Sequence, residues 1–104
     1  MDLNDIMKML KDPAALQKQA MEAQSRMASI SATGSSGGGM VKMTMNGTME
    51  LLNIAIAPEA IDPADPSILE DLIKAAYNDV SHRIREAIQA DVSRNMGGLS
   101  GFGS

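Results

Sequence analysis

The segment from Gly34 to Gly39, Gly-Ser-Ser-Gly-Gly-Gly, sets two glycines with four residues between them, the opening spacing of a phosphate-binding loop. The chemistry stops at the next two positions. Met40 and Val41 stand where a Lys for the phosphates and a Ser or Thr for magnesium are required. A hairpin loop is the better reading, because glycine supplies the positive φ that tight turns need. Ser81 and His82 are adjacent, and consecutive side chains on a helix point about 100° apart, so they cannot share a proton. Glu70 and Asp71 read as helix-start residues, and Glu59, Asp62 and Asp65 lack the alternating ligand spacing of a calcium loop. Met43, Met45 and Met49 offer thioethers to soft copper, but methionines alternating along a strand are better explained as adaptable core. No nucleophile with its base and no cofactor fingerprint is left, so the expectation is a protein that is not an enzyme and holds no cofactor.

Composition narrows the classes further. At 104 residues the chain has room for one small domain. With no Cys there is no disulfide, thiolate metal site or iron-sulfur ligation, and one His does not make a His-based zinc site. No run of about 18 apolar residues is present, so no membrane partner is expected. The start, MDLNDIMKMLKD, lacks the basic opening and small-residue cleavage site of a signal peptide. The expected address is cytoplasm, where Asn46-Gly47-Thr48 is a turn and not a glycosylation site. Nine Lys and Arg against 13 Asp and Glu give a net charge of -4, so any attraction to phosphate must be local. The bases are unevenly spread, with Lys8, Lys11, Lys18 and Arg26 near the start and Lys74, Arg83, Arg85 and Arg94 near the end.

These residues are carried by a short series of elements. Leu3, Ile6, Met7 and Leu10 give a short amphipathic helix over 2–11. Asp12-Pro13 restarts a helix over 13–28, the carboxylate as N-cap and the proline at the first helical position. Leu16, Ala20, Ala23, Met27 and Ile30, spaced four, three, four and three, form a narrow coiled-coil-like seam. Alternation then predicts strands over 29–36, 40–46 and 48–57. Val41, Met43 and Met45 lie on one face of the second, and Leu52, Ile54 and Ile56 on one face of the third. Asn46-Gly47 predicts a type I′ hairpin. A capping box from Ser67 to Glu70 opens a long helix over 67–93 with one apolar stripe, and the Gly/Ser-rich stretch 96–104 is expected to be a disordered tail.

The lengths have a consequence. A strand of about seven residues spans roughly 23 Å, whereas a helix of about 25 residues spans roughly 38 Å. The helix must overhang the sheet and expose apolar surface, which a symmetric dimer would cover.

Two blocks, TGSSGGGMVKMTMNG at 33–47 and ILEDLIKAAYNDVSHRI at 68–84, resemble the YbaB/EbfC family of bacterial nucleoid-associated proteins. The resemblance covers about residues 5 to 95. It implies an α+β fold, an α-β-β-β-α subunit in a single domain over 1–95, with a three-stranded antiparallel meander flanked by two long helices. It also implies a homodimer whose helical arms protrude and hold duplex DNA with little sequence preference, organising the nucleoid or regulating genes. The family's contacts fall on the arms, which makes Lys8, Lys11, Lys18, Arg26, Arg83, Arg85 and Arg94 the DNA-binding candidates. The alternative is an acidic dimeric protein-interaction module, for example in DNA repair or recombination, with a protein partner instead of direct DNA contact.

Overall fold

Two Asp-Pro steps decide where the long helices begin. In the computed structural model, which describes residues 2–95, Asp12 Oδ1 accepts from the N–H groups of Ala14 (3.1 Å) and Ala15 (3.3 Å). Pro13 then opens helix α2, Pro13–Ser29, just after the short helix α1, Leu3–Lys11. Asp65 repeats the device before helix α3, Pro66–Asn95: its Oδ1 accepts from the Ser67 N–H at 3.3 Å and the Ser67 hydroxyl at 2.5 Å. The expected Ser67 cap is therefore displaced to Asp65. Proline at the first helical position gives up only an N–H that has no partner there, so Asp-Pro outcompetes the serine one residue on.

Between the helices lie strands β1 (Ser31–Ser36), β2 (Val41–Asn46) and β3 (Leu51–Ile56), antiparallel in the order β1-β2-β3. The architecture is α+β, with a meander between helices, as expected. Gly37, Gly38 and Gly39 all have positive φ (59°, 68° and 95°) and make the tight connection from β1 to β2. The tail expected over 96–104 lies outside the described residues.

The second hairpin differs from the expected type I′ turn. Gly47 does not have the left-handed conformation, and Met49 takes it instead (φ 66°). The Asn46 side chain builds the turn: its Oδ1 accepts from the Thr48 N–H (3.1 Å), the Thr48 hydroxyl (2.8 Å) and the Glu50 N–H (2.9 Å). Gly47 is needed for closeness. Its N–H points at the carbonyls of Met27 (3.1 Å) and Ile30 (2.9 Å), and a Cβ there would strike the Met27 carbonyl oxygen. The turn is thus the socket into which the end of α2 fits.

β2 is the centre of the core. Val41, Met43 and Met45 are buried against Ala76, Val80 and Ile84 of α3, and Ala32, Leu72 and Ile88 pack around them. Gly34 of β1 lets the helix approach, since any Cβ at that position would collide with the backbone of Val80. α3 lies chiefly over β1 and β2. On β3, Ile54 and Ile56 pair with Met43 and Val41 as the alternation implies, but a bulge beside Thr44 and Met45 gives Met45 to Leu51. Leu52 therefore leaves the expected Leu52-Ile54-Ile56 row. All of β3 is exposed, Leu52 at 55% and Ile54 at 46%.

α2 buries no residue, and its seam position Leu16 is 38% exposed. The chain is consequently elongated, 67 × 35 × 16 Å, with a radius of gyration of 19.9 Å. A compact chain of this length would have about 13 Å.

Because Ile84 is fully buried at the centre of the α3 stripe, Ile84→Asp should cost at least about 3 kcal/mol by placing an unpaired charge in the core. A urea titration reads this directly. An unchanged midpoint would mean that the helix face is wrongly identified.

Candidate nucleic-acid interface

All seven candidate cations are exposed, and they occupy three elements. Lys8 and Lys11 lie on α1, Lys18 and Arg26 on α2, and Arg83, Arg85 and Arg94 on α3. Their electrostatic surroundings divide them. Among the described residues Lys8, Lys11, Lys18 and Arg85 make no ion pair, so their charge faces solvent uncompensated. Arg83 Nε lies 3.1 Å from Asp79 Oδ2, Arg26 Nε 3.6 Å from Asp91 Oδ2, and Arg94 Nη2 3.6 Å from Asp91 Oδ1.

Only Arg26 and Arg94 are drawn together from separate elements, and Asp91 is the group between them. They sit where α2 meets the last turns of α3, beside a groove of about 670 Å³ whose walls include Ser29, Ser31 and Ala90. The pairings Asp79–Arg83 and Asp91–Arg94 follow helix spacings of four and three and were open to sequence reading. The Arg26–Asp91 contact joins residues 65 positions apart in the numbering and has no local signal. Lys42 and Lys74, outside the candidate set, are also exposed and without an ion pair among the described residues.

Asp79 has a second task. Its Oδ2 accepts from the Ser35 N–H on the outer edge of β1 at 2.9 Å, fastening the strand to the helix. That hydrogen bond, with help from Arg83, holds the Asp79 carboxyl below its ordinary value of 3.8. His82 instead turns outward to Glu86 at 2.8 Å, while Ser81 is buried, so the adjacent pair diverges as helix geometry requires.

The sign of the Asp79 effect is fixed by linkage. A depressed carboxyl pKa contributes stability that is present above 3.8 and is lost as pH falls through the lower folded value. Asp79→Asn should melt below the wild type at pH 6, and the gap should narrow as the pH falls below 3.8. Thermal melts at several pH values would show it, and a gap independent of pH would reject the assignment.

Comparison with known proteins adds to this geometry. Residues 1–99 match the model of the YbaB/EbfC DNA-binding family. A nucleoid-associated protein of Paramagnetospirillum magneticum is 40% identical over 98 residues, covering 88% of this chain and 92% of the relative. One from an Anaeromyxobacter species is 38% identical over 95 residues, covering 91% and 92%. The fold is also that of a crystal structure of an uncharacterized Helicobacter pylori protein, with a TM-score of 0.65, 24% identity, and coverage of 92% of this chain and 97% of that one. Among the described residues no helix is long and apolar enough to cross a membrane. Sequence blocks, strand order and flanking helices therefore agree on one assignment: the chain belongs to the YbaB/EbfC DNA-binding family.

Proposed function

We propose that this protein binds duplex DNA through the phosphate backbone as a homodimer, in the cytoplasm at the nucleoid, and contributes to nucleoid organisation or gene regulation. The observation that carries this reading is the state of the arm. α1 and α2 bear Lys8, Lys11 and Lys18 with no acid partner among the described residues, and α2 buries none of its own residues. Free cations on a projecting helix are suited to phosphates spaced along a duplex. The exposed apolar side chains of β3, together with its open edge, are suited to a second copy. Two copies double the cationic set and can concentrate positive potential in spite of a net charge of -4 per chain. Discrimination between sequences is expected to be poor, since phosphate contacts carry no base information.

A second reading, an acidic dimeric module that engages a protein partner, is favoured by that same net charge and by Leu3 and Leu10, 71% and 67% exposed on α1.

Sedimentation at low micromolar concentration should give about 22 kDa, twice the 11.0 kDa subunit. A stable folded monomer would remove the dimer from the proposal. Anisotropy titrations at several salt concentrations should give a log-log slope on the order of -2 to -5 per dimer, from about -0.9 per phosphate neutralised. Charge reversal of Lys11 with Lys18 should weaken all duplexes alike, and reversal of Lys42 on the sheet should matter less. Binding that ignores salt, or is absent at about 50 mM salt, would reject direct phosphate contact and favour the protein partner.

A further inference from the structure

Asp91 is the least exposed member of the charged cluster at the base of the arm. Its side chain is 13% exposed, against 51% for Arg26 and 78% for Arg94. Among the described residues no backbone N–H donates to the carboxylate. Its side-chain partners among the described residues are the two guanidinium groups and the Asn95 amide at 3.2 Å. Asp79 is different, because its carboxylate fastens the edge of β1 through Ser35. Asp91 thus places a negative charge between two arginines from different helices without a strand or a turn depending on it.

We propose that Asp91 acts as an internal competitor for DNA phosphates: in the free protein it occupies Arg26 and Arg94, and phosphate oxygens displace it when a duplex binds. This rests on the phosphate-binding reading above and adds a built-in restraint to it. Each guanidinium presents five donors, of which a carboxylate engages few, and both arginines keep a solvent face on which a phosphate can approach. Both contacts are long, at 3.6 Å, and exposed on the arginine side, which leaves the arginines open to exchange for a polyanion. Exchange also has a mechanical consequence. The Arg26–Asp91 contact ties α2 to α3, while the Gly47 N–H on the Met27 and Ile30 carbonyls and the packing of Ile30 on the core hold the same end to the sheet. Handing Arg26 to a phosphate removes the one ion pair that joins α2 to α3 among the described residues.

The test is Asp91→Asn, which keeps an acceptor for the arginines and removes the charge. Asp71→Asn serves as a charge-matched control, because Asp71 on α3 pairs with no cation among the described residues. With a duplex of about 20 base pairs at about 50 mM salt, D91N should bind roughly three- to tenfold tighter than wild type. Its salt slope should steepen by about 2 per dimer, one phosphate per subunit. D71N should gain markedly less, and adding R26A and R94A to D91N should abolish the gain. Matching circular dichroism melts keep the comparison between folded proteins. If wild type binds and D91N behaves as D71N does, the competitor role is overturned while DNA binding stands. If neither wild type nor D91N binds, the phosphate reading falls and this inference falls with it.

Discussion

The contact on which the molecule depends is the bare backbone of Gly34 against the backbone of Val80. Only at that separation does α3 come down far enough to cover Val41, Met43 and Met45 of the central strand. Among the described residues the core holds no aromatic side chain to bridge a wider gap. Aliphatic and thioether side chains fill a thin layer well, and methionine adapts to its irregular outline. The same closeness allows the polar fastenings at the edge, Asp79 on the Ser35 N–H and the Ser36 hydroxyl on the Leu72 carbonyl at 2.5 Å.

A helix held down on β1 and β2 leaves β3 uncovered, and the arm is a second region that the subunit does not bury. Apolar β3 and the cations of α1 and α2 are therefore separate outcomes of one packing choice. The sheet is too narrow for its helices, so apolar surface is left at one margin while charged helices project from the other elements. Electrostatics then sorts the projecting charges. Acids on α3 pair with Arg26, Arg83 and Arg94, while Lys8, Lys11 and Lys18 on α1 and α2, with Lys74 and Arg85 on α3, make no ion pair among the described residues.

Much of this was legible in the residues. Periodicity located the helices and strands to within a few positions, and the alternation Val41-Met43-Met45 identified the core strand correctly. The departures have local physical causes. Asp65-Pro66 competes with Ser67 for the cap, and the distinction rests on which oxygen meets the first free N–H groups. Asn46-Gly47 marked a turn correctly but for another reason, because the glycine is demanded by the end of α2 and not by its own φ. The bulge that exchanges Leu52 for Leu51 follows from that enlarged turn, and no pairwise spacing announces it. At the candidate interface, charge type was readable and charge pairing only within a helix. Arg26–Asp91 needs the tertiary structure.

A helix of 17 residues that buries none of its side chains has a further consequence for how the protein can change. Substitution costs are concentrated where cavities, strain or unpaired buried groups can be created, and exposed positions elsewhere are nearly neutral to stability. Along α2 the chain can exchange one charge or polar group for another with little penalty to folding, provided that Asp12 and Pro13 start the helix and Met27 reaches the Gly47 N–H. The arm is thereby open to mutational drift in a way that β2 is not. Selection can retune what it touches, residue by residue, on a scaffold whose folding energy is secured elsewhere.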